Sequence, residues 1–199
     1  MKILLIGASG TIGKRIYDAL SPKHEIVRAS RSGADVEVDI TSAVSIEDMY
    51  HAVGKLDAVI CAAGPARFAP LGELTEEDIY VCIHGKMMGQ VNLVRIGQNY
   101  LNDNGSFTLT TGILAEDPIV GSAAVSLANG AVNSFALAAA QELPRGQRIN
   151  VVSPTVVADS AEMYADFFPG FDPVPMDRVV NAYIRSLMGK ITGRIIRVY

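Results

Sequence analysis

Met1-Lys2-Ile3-Leu4-Leu5-Ile6-Gly7-Ala8-Ser9-Gly10-Thr11-Ile12-Gly13 opens the chain, and its reading decides the fold. Ile3 to Ile6 is a short uninterrupted apolar run, the pattern of a strand buried on both faces. Gly7 ends it. Residues 11–20 then carry Ile12, Ile16, Ala19 and Leu20 at helical spacing, and Pro22 stops the helix. Three glycines therefore sit between a strand and a helix. In such a turn the first glycine lets the chain reverse tightly. The second lets the backbone approach a diphosphate, and the third lets the helix pack on the strand. N–H groups at the helix opening then meet an anion with favourable dipole sign. The alternative is a tight turn with no ligand.

The same alternation continues outward. Residues 25–30, 36–40, 57–61, 106–110, 149–152 and 194–198 read as strands. Residues 45–53 read as a helix with Ser42 or Ser45 as its cap. Thr75-Glu76-Glu77-Asp78 starts another, running to about Leu101 and bent near Gly85 and Gly89. Asn104-Gly105 reads as a turn before the next strand. Residues 122–143 form a long helix rich in small side chains, and 176–188 a last one. Between them, residues 154–175 make a long loop containing Pro154, Pro169, Pro173 and Pro175, and loops of that length are often functional. The expected architecture is α/β: a single Rossmann-like doubly wound domain over residues 1–199. Its parallel sheet has about seven strands, with helices on both faces.

Composition agrees with one domain. The chain has 199 residues, 49% of them apolar and 19% charged, enough for a sizeable core. Its net charge of −4 without any basic run argues against nucleic acid as the main partner. The most apolar stretch, 123–143, is interrupted by Ser126, Asn129, Asn133, Ser134 and Gln141, which argues against a membrane span. Cys61 and Cys82 make no disulfide framework, and His24, His51 and His84 have no metal-ligand spacing. The opening strand runs straight into the glycine turn, so no secretory leader is expected, and the compartment expected is the cytoplasm.

Where a dinucleotide site of the NAD type places an acid, about twenty residues beyond the turn, this chain reads Arg28-Ala29-Ser30-Arg31-Ser32. Arg31 supplies a cation, and a neighbouring hydroxyl such as Ser30 can help hold a 2′-phosphate. The expected cofactor is NADP, with NAD second. The alternative is a solvated arginine.

At this point the sequence resembles the short-chain dehydrogenase/reductase family along its whole length. Gly7, Ser9, Gly10, Thr11, Ile12 and Gly13 resemble the family's phosphate turn. Asp39-Ile40 resembles the pair that contacts the adenine. Cys61-Ala62-Ala63-Gly64 resembles the Asn-Asn-Ala-Gly segment beneath the cofactor, with both asparagines lost. Arg148 to Pro154, with Val157 beyond, resembles the strand and loop that meet the nicotinamide. Ile191-Thr192-Gly193 matches the approach to the last strand.

The catalytic pattern departs from the family. Its tyrosine and its lysine four residues on fall at Val125 and Asn129, and no Tyr-x-x-x-Lys occurs anywhere in the chain. The family serine falls near Thr111, whose hydroxyl can make the same bond to a carbonyl. A family asparagine falls near Lys86, which can supply the missing cation or be a solvated lysine on a helix face. Asp159, Tyr164 and bound water are the other proton sources; for Asp159 a turn or capping role is the stronger alternative. The resemblance implies an NADP(H)-dependent oxidoreductase acting on a small carbonyl/alcohol pair through a modified site. Loss of the pair leaves open a catalytically silent NAD(P)-binding or redox-sensing protein. A nucleotide-sugar isomerase is weaker, since the C-terminal region is short. The long helix implies a homo-oligomer, dimer or tetramer, by resemblance.

Overall fold

The computed structural model describes residues 1–199. Seven strands form one all-parallel sheet: β1 (Lys2–Ile6), β2 (Glu25–Ser30), β3 (Val36–Glu37), β4 (Leu56–Cys61), β5 (Leu101–Thr110), β6 (Arg148–Pro154) and β7 (Arg194–Val198). Their order is β3-β2-β1-β4-β5-β6-β7. The chain reverses direction across the sheet between β1 and β4, and a crevice opens there beyond the carboxyl ends of the strands.

Helices cover both faces. On one side lie α1 (Thr11–Leu20) and α7 (Met176–Met188), packed on Ile3, Leu5, Ala58 and Ile60. On the other lie α2 (Ala43–Val53), α4 (Gly89–Gly97) and α5 (Ala123–Glu142), packed on Leu4, Val59, Phe107 and Val151. Ile3, Leu4, Leu5 and Ile6 are fully buried, each contributing roughly 1.5–3 kcal/mol of transfer free energy. Period-2 residues thus feed opposite cores, which is why β1 reads as an unbroken apolar run.

α5 is long and apolar enough to cross a membrane by length and composition, with a mean hydropathy of 1.3. Here Val132 and Ala136 are buried against the sheet, the behaviour of a core helix in a doubly wound fold.

Three details differ from the expected elements. β3 has two residues instead of five, because Asp39 leaves the ladder to accept hydrogen bonds from the Thr41 N–H and hydroxyl, at 2.9 and 2.7 Å. Asn104-Gly105 is a bulge inside β5 rather than a turn before it. Leu101 is fully buried and already pairs with Leu56, so the register shifts before Ala58 meets Ser106. The helix expected from Thr75 onward is α3 (Glu76–Val81), a π-helical stretch (Cys82–Met88) and then α4. Thr75 and Asp78 close the expected capping box at its start.

The long loop holds a 3-10 turn (Ala158–Ser160) that runs into a short helix, α6 (Ala161–Tyr164). Of the two candidate caps, Ser42 is the one that caps α2, accepting from the Ser45 N–H.

Candidate active site

The glycine turn is built as the sequence demands. Gly7 adopts φ +84°, and a Cβ there would stand 2.7 Å from the Ala62 carbonyl oxygen. A Cβ at Gly13 would overlap the Gly7 carbonyl. These two glycines are required by the protein's own packing. Gly10 is different: a Cβ there would meet only the Gly7 oxygen, at an ordinary 3.4 Å. Nothing in the protein fills the space in front of it. Gly10 is also the N-cap of α1 and offers no side-chain cap, while Ser42 and Thr75 cap their helices. The first N–H groups of α1 are left for a ligand.

Two clefts flank this turn and meet at Gly64. The first has a volume of about 400 Å³ and is lined by Gly7, Ser30, Arg31, Asp39, Ile40, Ala63 and Gly64, all expected, with Ile6, Val38, Thr41 and Pro65 added. Bonds from Thr41 hold the Asp39 carboxyl below its usual range, so it stays ionised. Ser30 donates its hydroxyl to the Ser32 carbonyl at 2.7 Å. Arg28 is held by Asp35 at 2.6 Å and lies over the Tyr17 ring, whereas Arg31 is exposed and makes no ion pair.

The second cleft, about 430 Å³, gathers Thr11, Ile12, Ala62, Gly64, Lys86, Thr111, Val125, Asn129, Pro154 and Val157. Every expected site residue lines one cleft or the other except Ser9, Gly10 and Gly13, which form the turn between them. Of the loop candidates, Tyr164 lines this cleft. Asp159 does not: it is bound to Arg15 at 2.9 Å and lines a separate hollow.

Local packing places the polar groups. Gln90, fully buried, donates to the Thr110 carbonyl at 2.9 Å and accepts from its N–H at 2.8 Å. Thr110 in turn bonds the Cys61 carbonyl, and its hydroxyl lies 2.7 Å from that of Tyr183. The carboxyl ends of β4 and β5 are thereby locked together, and Thr111 projects from that lock. Its hydroxyl donates to Asn133 Oδ1 at 3.0 Å.

The π-helical stretch positions Lys86. Gly85 abuts the Pro65 ring, and a Cβ at Gly89 would stand 3.1 Å from the Ile40 carbonyl. Both contacts press the helix against the two loops that wall the clefts, and extra backbone is absorbed as a π turn. Lys86 is the only charged side chain lining the second cleft. It forms no hydrogen bond and no ion pair with the protein, and burial pulls its ammonium below the ordinary lysine range. Asn129 Oδ1 and Thr155 Oγ1 are buried on the same cleft wall with no partner.

Sequence reading missed the apolar wall: Phe68, Ile113, Leu114, Val156 and Phe168. These come from three segments, after β4, after β5 and after β6, and no local pattern marks them as neighbours.

Comparison with known proteins follows the same lines. A family profile described as enoyl-(acyl carrier protein) reductase matches residues 15–187. An uncharacterized oxidoreductase of Methylorubrum extorquens is 28% identical over 178 aligned positions, covering 77% of this chain and 72% of that one. Hydroxynaphthalene reductase of Aspergillus fumigatus is 26% identical over 74% of this chain, which spans 58% of that relative's length. Among solved structures, the protein lin1944 of Listeria innocua is 53% identical, with a TM-score of 0.98 and full coverage of both chains. A small-chain dehydrogenase crystallised with NADPH shares the fold at a TM-score of 0.88 and 23% identity, covering 100% of this chain and 96% of that one.

Proposed function

The chain belongs to the short-chain dehydrogenase/reductase family, and from that premise we propose that it binds NADP(H) and interconverts a small carbonyl and its alcohol. The observation that carries this reading is the pair of clefts meeting at Gly64 on either side of an uncapped helix with open space at Gly10. Two pockets joined by an anion-binding turn fit a dinucleotide.

Gly7, Ser9, Gly10, Thr11, Ile12 and Gly13 would hold the diphosphate. Asp39 and Ile40 would face the adenine, with Ser30 and Arg31 at the 2′-phosphate. Ala62, Ala63, Gly64, Pro154 and Val157 would border the nicotinamide half. The NADPH-bound structural neighbour supports the phosphorylated form. When bound, the cofactor supplies a hydride; the protein orients the partners and manages the proton.

Lys86 is the group we assign to the reacting oxygen. An unpaired ammonium in a half-enclosed cleft stabilises charge developing on a substrate oxygen and can release a proton to it. Thr111 stands on the same wall and joins in once its hydroxyl turns from Asn133.

Val125 favours a second reading. It is buried, it falls by resemblance at the family's tyrosine, and it has no transferable proton, which fits a binding protein without turnover. The exposed Leu127 and Leu137 on α5 support pairing with a second copy of the chain, which light scattering tests.

Thermal shift with NADPH and NADH tests the cofactor. A shift with NADPH at sub-millimolar concentration is expected, and none at millimolar levels of either rejects the assignment. A panel of aldehydes and ketones then separates the readings: turnover lost in Lys86→Met supports the enzyme, and binding with no turnover supports the sensor.

A further inference from the structure

Phe68 belongs to two cavities. One is the cleft of about 430 Å³ that holds Lys86. The other is a hollow of about 580 Å³ walled by Ala69, Pro70, Ile119, Val120, Phe167 and Phe171. The segment after α6 walls both: Tyr164 and Phe168 face the first, Phe167 and Phe171 the second. The Tyr164 carbonyl accepts from the N–H groups of Phe167 and Phe168, at 3.0 and 3.2 Å, so these rings come off a helical turn on alternate sides. Phe68 stands between them, its ring 6.0 Å from that of Phe167.

The polar groups Thr111, Asn129 and Thr155 gather in the inner cleft with Lys86, and beyond Phe68 the path is mostly apolar. Lys86 is the one charged group of the first cavity and Asp166 the one of the second. Val120 is 90% exposed and Phe167 50%, at the outer end of the path. Clustered exposed apolar side chains of this kind mark a surface that another apolar group covers. In the outer cavity a polar group would lose its water among mostly apolar side chains.

We infer that the substrate carries an unbranched apolar tail that runs from its oxygen at Lys86, past Phe68, into the second cavity. The inference rests on the carbonyl site proposed above and adds the class of molecule that site takes. Phe68 lines both cavities, which sets the second beside the first on the proposed course of the tail. The outward cavity sets tail length, and Phe68 with Phe167 forms its neck.

The test uses the full chain saturated with NADP⁺ and a series of 2-alkanones from hexanone to tetradecanone. Thermal shift and calorimetry read binding, independently of turnover. Affinity is expected to rise about fourfold per methylene, the equivalent of ~0.8 kcal/mol per buried CH₂, and to keep rising beyond decanone. Val120→Glu puts a charge on the outer cavity without touching the core, and Ala69→Phe fills it. In both, the gain beyond decanone is expected to vanish. An affinity that levels off by octanone in the natural protein overturns the inference, as does a gain beyond decanone that survives both substitutions. An NADP⁺ shift with a flat ketone series overturns the tail alone; no NADP⁺ shift overturns the site reading beneath it.

Discussion

A side-chain carbon placed at Gly64 would stand 2.8 Å from Cγ of Lys86. The lysine stem lies directly under the loop that leaves β4, and that loop borders both clefts. Lys86 is therefore held in place by packing, while its ammonium has no protein partner.

That arrangement predicts opposite effects on stability and turnover. Lys86→Met removes an unpaired, partly buried charge and should raise the melting temperature. The same change should cost about 10²-fold or more in kcat if Lys86 serves the reacting oxygen. Burial lowers its pKa, so the ammonium is lost as pH rises before an ordinary lysine, at about 10.4, would titrate. The folded state thus disfavours the charged form. Its cost to stability is present below the folded pKa and fades as pH rises toward the unfolded value. A pH–rate profile whose alkaline limb is unchanged by Lys86→Met removes Lys86 from the chemistry.

Gly10 and Gly13 should separate binding from folding. Gly13→Ala drives a methyl into the Gly7 carbonyl and is expected to destabilise the chain by roughly 1–3 kcal/mol or more. Gly10→Ala meets only an ordinary contact and loses an N-cap glycine, at a cost of about 1 kcal/mol or less. Its NADPH affinity should nevertheless fall by at least ten times, about 1.4 kcal/mol, because the methyl occupies the diphosphate's approach. Urea denaturation and NADPH titration of the two variants give both numbers. Equal affinity in Gly10→Ala and the natural protein places the diphosphate elsewhere.

The elements governed by local periodicity were legible in the sequence. β1, α1, α7 and the parallel order follow from apolar spacing and from glycines fixed by short contacts. Long-range packing hid the rest. The two-residue β3 depends on Thr41 reaching back to Asp39. The π turn around Lys86 arises from Pro65 and Ile40 pressing on Gly85 and Gly89, residues distant in sequence. Asp159 reads as a free loop acid until the fold delivers Arg15 to it. Phe68 and Phe168 become cleft walls only once two loops meet.

Arg31 should decide between the two nicotinamide cofactors. It is exposed and has no ion-pair partner, while Arg28 is fully engaged with Asp35 and Tyr17. A charge-assisted bond to a 2′-phosphate is worth about 1.5–3 kcal/mol, or roughly 10–100-fold. Arg31→Glu should weaken NADPH by at least that factor and leave NADH within about threefold, less than the ~1.4 kcal/mol of a tenfold change. Fluorescence titration of both cofactors measures the ratio. Equal losses for the two would show that Arg31 does not read the phosphate.

The two thiols should report opening of the strand that supports the site. Cys61 and Cys82 are both fully buried, and burial pushes the Cys61 thiol up to about 11. The thiolate is the reactive form, so at pH 8 only about one Cys61 in a thousand would be ionised even if reached. Cys61 ends β4, and the next residues, Ala62 and Ala63, line the two clefts. Labelling must therefore wait for local unfolding of this strand end. Native protein at pH 8 should give almost no colour with Ellman's reagent over an hour, and both thiols should react at once in urea. Saturating NADPH should slow the residual native reaction further, by the factor its binding adds to closure. Rapid labelling of the native chain would mean that the end of β4 is not packed as described, and with it the lock of Thr110 on the Cys61 carbonyl.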